Sequence, residues 1–222
     1  DDYFTISHSL AYQLYDFRNY NIGLFNFGNG RSNSFAYTFG VARNATSGGR
    51  IFPRGGSNFE VTGKFTPPYS LFSDKDFESL RDENEEIRLR TASGNGTPED
   101  QTRLEEIDQE RFRWLEYYKL KFKGDWYTTL VGSADKSLVL RANAEFGFLG
   151  NYNNDVGDVP FERFFVGGTG LGNFTLDGRD IVQLRGYDEQ TLTPLDPLTG
   201  QQEGALVYNK FSLELRYPLT LK

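Results

Sequence analysis

Apolar and polar residues alternate with a period of two along six separate stretches of the chain, the signature of strands with one apolar face. In FTISHSLAYQL the apolar phase is Phe4, Ile6, Leu10, Tyr12 and Leu14, set against Thr5, Ser7, Ser9, Ala11 and Gln13. SFAYTFGVAR sets Phe35, Tyr37, Phe39 and Val41 against Ala36, Thr38, Gly40 and Ala42. NFEVTGKFT sets Phe59, Val61 and Phe65 against Glu60, Thr62 and Lys64. WLEYYKLKFKGDWYTTL sets Trp114, Tyr118, Leu120, Phe122 and Trp126 against Lys119, Lys121, Lys123 and Asp125. LVLRANAEFGF continues with Leu138, Leu140, Ala142, Ala144, Phe146 and Phe148 opposite Arg141, Asn143 and Glu145. VYNKFSLELRY ends the series, with Phe211, Leu213, Leu215 and Tyr217 opposite Lys210, Ser212, Glu214 and Arg216.

Strands in soluble sheets average ~5–6 residues, and several of these stretches run to ten or more. A tilted strand needs ~9–11 residues to cross a bilayer. Length and alternation together predict an all-β fold, an antiparallel transmembrane β-barrel with apolar residues outward and a wet lumen inside. A soluble β-sandwich, whose strands also alternate, is the competing fold. The connections favour the barrel. NATSGGRIFPRGGS and GSADKS are short turns, whereas 19–33, 67–113 and 150–206 are long polar insertions, and the two kinds alternate along the chain. Short turns at one rim and long loops at the other is the arrangement of outer-membrane barrels.

Charge is unevenly placed. Asp74 to Arg113 holds thirteen acidic and seven basic residues, so six of the chain's seven net negative charges lie in that insertion. Within it Phe77, Leu80 and Ile87 recur at helical spacing, as do Leu104 and Ile107. The breaker cluster TASGNGTPED separates the two runs, with Thr97 or Asp100 placed to cap the second helix. Residues 74–113 are therefore expected to form an acidic helical hairpin outside the cell, dispensable for folding. An acidic chain is a poor partner for nucleic acid. There is no cysteine, hence no disulfide or thiolate metal site, and one histidine, His8, in the apolar phase of its strand, where a packed or interfacial role is expected. No catalytic constellation and no cofactor site emerge; the acidic pair Asp177 and Asp180 is at most a weak cation site. Absence of methionine and a start at Asp-Asp suggest a mature or internal segment.

The longest insertion carries FERFFVGGTGLG, with LRGY following at Leu184 to Tyr187. A phosphate-binding glycine loop joins a strand to a helix inside a parallel βαβ unit. No helical pattern follows these glycines and no βαβ alternation exists in the chain. The glycines instead suit a loop that folds back into a confined space, because glycine accepts positive φ and close backbone approach.

PFERFFVGG followed by LRGY resembles the sixth extracellular loop of the BamA/TamA superfamily of outer-membrane assembly barrels. RIFPRGGSNFEVTGKFTPP looks like that family's periplasmic turn and the strand after it, and SLELRYP resembles the strand after the sixth loop. The inserted TGLGNFTLDGRDIVQ departs from the shorter proteobacterial pattern and is similar to the Bacteroidota form. The resemblance spans nearly the whole chain. It implies about six of sixteen strands, the seventh to the twelfth, with the lateral seam outside the segment. Residues 1–222 would be part of the C-terminal barrel domain, with 74–113 as the extracellular insertion and 150–206 as a lumen-inserted loop. It further implies insertion of outer-membrane proteins without covalent chemistry. The partners would be nascent outer-membrane proteins, accessory assembly lipoproteins and outer-membrane lipid. A TamA-like or two-partner-secretion channel on the same architecture is the alternative, and a barrel phospholipase a distant third. The resemblance also implies a loop lock built from Arg185, Gly186, Tyr187 and Glu214, with Arg185 paired to Glu214. Gly167 and Gly168 would let the loop pass close to the wall, and Phe165 and Tyr187 would pack to hold it.

Overall fold

The computed structural model describes residues 4–18, 29–133, 136–169, 178–188, 191–197, 200 and 202–219. All six alternating stretches are strands: β1 (Phe4–Phe17), β2 (Gly30–Ser47), β3 (Gly55–Phe65), β4 (Tyr118–Ser133), β5 (Lys136–Gly150) and β8 (Val207–Arg216), with two short strands, β6 (Phe164–Val166) and β7 (Asp180–Val182), in the insertion before β8. They form one sheet in the order β1-β2-β3-β4-β5-β8, every neighbour antiparallel. β2 runs 18 residues and β4 runs 16, lengths made for a bilayer rather than for an ordinary soluble sheet. No helix is long and apolar enough to cross a membrane.

The two faces of the sheet differ as the alternation requires. On one face the apolar phase stands bare: Leu10 is 68% exposed, Trp126 68%, and Phe211 and Leu213 76% each. So large a continuous apolar surface is untenable in water and is what hydrocarbon covers. The opposite face carries the core. Tyr15, Phe17, Tyr117, Leu149 and Tyr208 point from the strand ends into a cluster completed by Phe112, Leu115, Val156, Val159, Phe161, Phe164 and Val182 from the long insertions. The core thus lies between the sheet and its own loops, at the long-loop rim. Tyr15 and Phe17 stack on Phe161 with ring centroids 4.6 and 5.5 Å apart. Spin labels at Leu213 and Ser212 of β8 are expected to report lipid and water respectively by oxygen and nickel-chelate accessibility. Equal environments at the two neighbours would rule out a membrane-facing sheet.

Most strands outrun their alternating stretches, β2 spanning Gly30–Ser47 against 34–43, while one begins later than expected. The fourth strand was expected to begin at Trp114, but β4 starts at Tyr118. Leu115 and Tyr117 are fully buried in the loop core; Tyr117 N donates to Thr66 Oγ1 at 2.7 Å, while its carbonyl accepts from Thr66 N at 3.1 Å.

The acidic insertion is a hairpin of α1 (Phe77–Arg90) and α2 (Pro98–Arg111). Asp76 caps α1, its side chain accepting from Ser79 N. Thr97 caps α2 in a reciprocal box with Asp100, so the two candidate caps act together. The hairpin is polar outside but seated on its neighbours. Arg81 pairs with Asp155 and Arg88 with Asp196, while Arg111 Nε and Nη2 donate to Val156 O at 3.0 and 2.8 Å. Gln109 bridges the backbone of Arg31, accepting at 2.6 Å and donating at 2.7 Å. These ties make the hairpin part of the cap over the loop core rather than a free excursion.

Candidate functional site: a loop locked to the inner wall

The inward row of lysines explains why the long insertion folds back. Lys64 of β3 stands directly opposite Lys119 of β4 in the register. Like charges across a strand pair repel, and the next strand offers only Leu149 and Gly147 opposite Lys119 and Lys121. The compensating anions must come from outside the sheet, and the loop supplies them. Glu162 accepts from Lys64 Nζ at 2.6 Å through one oxygen and from Lys119 Nζ at 3.2 Å through the other. Its carbonyl accepts from Lys119 Nζ at 2.7 Å. Asp180 lies 2.9 Å from Lys119 Nζ and 2.8 Å from Lys121 Nζ. The Lys119 ammonium also sits 4.7 Å from the Phe164 ring centroid, within cation–π range.

Electrostatics follow from this geometry. Burial alone would raise the Glu162 carboxyl, but Lys119 and Lys64 outweigh it and hold the group below the usual carboxylate range. Asp180 is treated likewise, with Lys119 and Lys121 overcoming its desolvation. Among the described residues Glu162 is the one non-glycine with positive φ, at 66°. Such backbone costs ~1–3 kcal/mol and persists where the surroundings over-determine it.

Backbone pairing brings the two loop motifs together. β6 (Phe164–Val166) runs parallel to β7 (Asp180–Val182). Past it, Gly167 N donates to Val182 O at 3.1 Å, Gly168 N to Tyr187 O at 3.1 Å, and Leu184 N to Gly168 O at 3.0 Å. Gly167 and Gly168 adopt φ of 130° and 83°, conformations that side chains resist. Phe165 is buried, as expected of a packing residue. Close approach to the wall occurs at another glycine, Gly147 of β5. A Cβ there would lie 2.2 Å from Tyr208 and 2.7 Å from Phe164. Gly147→Val is therefore expected to displace both rings and destabilise the docked loop by ~1–3 kcal/mol, the cost of overpacking. Faster hydrogen exchange at Phe164 to Val166 with unchanged exchange in β2 would report it.

Other expected site residues lie elsewhere. Arg185, Gly186 and Tyr187 are exposed, and Arg185 has no ion-pair partner among the described residues. Glu214 is held instead by Arg141, its cross-strand neighbour, whose Nη1 donates to Glu214 Oε1 at 2.9 Å while Nη2 lies 2.7 Å from Asp125. The expected Arg185–Glu214 pair is thus not formed among the described residues, and Arg141, the register partner, holds one oxygen of that carboxylate. Tyr187, expected to pack, is half exposed. His8 stays on the apolar face, its Nδ1 2.6 Å from the Tyr37 hydroxyl. Asp177 lies outside the described residues, and Asp180 is taken by two ammonium groups. Among the described residues no His, Cys, Asp and Glu group is arranged to hold a metal.

A long-stranded antiparallel sheet with a bare apolar face, alternating short and long connections and a loop charge-locked to its polar face defines a β-barrel of the outer-membrane kind. The Omp85 superfamily domain matches residues 2–222. The chain belongs to the Omp85 superfamily, a family of outer-membrane β-barrels devoted to insertion or translocation of outer-membrane proteins. Comparison with curated proteins finds no match to the chain.

Proposed function

We propose that this chain is the loop-bearing part of a BamA-type assembly barrel of the Bacteroidota form, which inserts outer-membrane proteins without covalent chemistry. The carrying observation is how the lumen side is filled. The loop core, the Glu162 and Asp180 clusters and the hairpin cap close the inner wall at the long-loop rim, and beneath the loop stays a polar cavity of about 300 Å³. A plugged lumen suits a barrel that works at its edge, where a nascent strand gains the backbone hydrogen bonds that lipid cannot offer. A translocation channel of TamA-like or two-partner-secretion type would have to move this loop aside during transport. The stretch between Gly168 and Arg185 supports the Bacteroidota assignment by its length. The short turns then face the periplasm, the hairpin faces outward, and accessory lipoproteins are the expected partners.

Depletion of the full-length protein tests this. Newly made outer-membrane barrels should accumulate in their heat-sensitive, unfolded form, and the reconstituted protein should conduct poorly across a planar bilayer. Normal barrel folding together with a large steady conductance would replace the assembly role with a channel.

A further inference from the structure

The apolar face is not uniformly filled. Along one cross-strand row the residues run Phe59, Gly124, Ala144, Phe211, from β3 through β4 and β5 to β8. In the next row Trp126, Ala142 and Leu213 stand side by side. In the first row two small residues lie between Phe59 and Phe211, roughly 14 Å apart at three strand spacings, and in the second Ala142 alone lies between Trp126 and Leu213. At Gly124 the Phe122 ring leans over the backbone and forms part of the floor: a Cβ there would lie 3.0 Å from Phe122 Cζ. The resulting groove measures about 690 Å³ and is almost wholly apolar. That is within the ~300–1,000 Å³ of sites that hold small ligands.

We propose that this groove holds an acyl chain of an outer-membrane lipid, a fixed lipid site on the barrel wall. The groove opens on the same bare face that the bilayer covers, and its walls continue that face. Phe211 and Leu213 are three-quarters exposed, and beyond them Leu215 and Val207 extend the apolar surface along β8. Lipid is the solvent already in contact with these walls, and an empty trough in hydrocarbon forfeits the dispersion contacts of its lining. A flexible methylene chain follows such a trough without needing a hydrogen bond. A transmembrane protein segment would have to bring small or aromatic side chains in register with Gly124 and Ala144.

Full-length protein reconstituted in phosphatidylethanolamine vesicles doped with a diazirine-acyl phospholipid provides the test. Photo-adducts, mapped by mass spectrometry, should concentrate on Ala142, Ala144 and Phe211. The expected enrichment over the flat apolar surface at Ile6 and Leu10 is about tenfold, one decade of preference. Ala142→Leu with Ala144→Leu should fill the trough and flatten the distribution while heat-modifiable migration stays normal. Should that pair not fold, Phe211→Ala with Leu213→Ala removes one wall and should flatten it equally. Adducts spread evenly in the wild type, or unchanged in the altered proteins, would overturn the site. So would a photoreactive phenylalanine at Phe211 that crosslinks one protein stoichiometrically in native membranes, since the occupant would then be a protein.

Discussion

Replacing Glu162 with alanine is expected to release the loop from the wall while the barrel stays folded. Its carboxylate sits between two lysines that face each other across β3 and β4, and the Lys119 side chain is 5% exposed. Removing one partner of a buried charge pair costs ~3–5 kcal/mol because the other charge is left without compensation. Here the remaining ammoniums would repel directly. At that cost, tryptic cleavage at Arg179 and Arg185 in the full-length protein should accelerate by ~100-fold or more. Glu162→Gly, free of the left-handed backbone strain, should lie ~1 kcal/mol above Glu162→Ala. Removing Lys64 together with Glu162 should recover part of the loss, since the two act as a coupled pair. A loop as resistant in Glu162→Ala as in the wild type would show that packing alone holds it.

The same cluster fixes a pH window. Glu162 and Asp180 have folded carboxyls held below their usual range. The stability they contribute is present above the unfolded value and is lost as pH falls through the folded one. Protease resistance of the loop should therefore persist at pH 5 and decline only below about pH 4.

Much of this was legible in the alternation. Period two placed all six strands, because a membrane face must be apolar at every second position. Turn chemistry marked the alternation of short and long connections, and Thr97 with Asp100 announced the second helix. What escaped was pairing that depends on register. Glu162 lies inside a motif quoted for its glycines, and nothing local marks it as an anion between two lysines. The signal existed only jointly. With β3 and β4 in register, Lys64 faces Lys119, and that repulsion demands a carboxylate from the loop. The Arg185 expectation failed for the converse reason. Arg141 sits opposite Glu214 through a strand pairing that separation along the chain does not reveal. Tyr117 shows the third limit, since Leu115, Glu116 and Tyr117 are buried one after another under a loop core that nothing in their own sequence announces.

Asp108 of α2 carries the opposite sign from Glu162 and yields the second large effect. Burial raises its carboxyl, and although Arg111, Arg88 and a hydrogen bond from Asn84 pull it back, the value stays near 6 against 3.8 for the free group. Asn84 Nδ2 donates to Asp108 Oδ1 at 3.3 Å and Arg111 lies 3.9 Å away, neither close enough to repay the desolvation. A raised carboxyl pKa stabilises the folded hairpin fully below the unfolded value, and that stability drains away as pH rises through about 6. A shift of this size corresponds to ~3 kcal/mol at neutral pH. Asp108→Asn, which keeps the shape and removes the charge, is thus expected to firm up the hairpin by up to ~3 kcal/mol at pH 8. It should also abolish the softening between pH 4 and 6. Hydrogen exchange of the α2 amides, corrected for intrinsic rates, measures both: wild-type protection should fall from pH 4 to pH 7 while that of the variant stays level. If the variant exchanges faster at pH 8, the Asp108 charge serves Arg111 more than burial penalises it, and the ion pair is a net support of the hairpin.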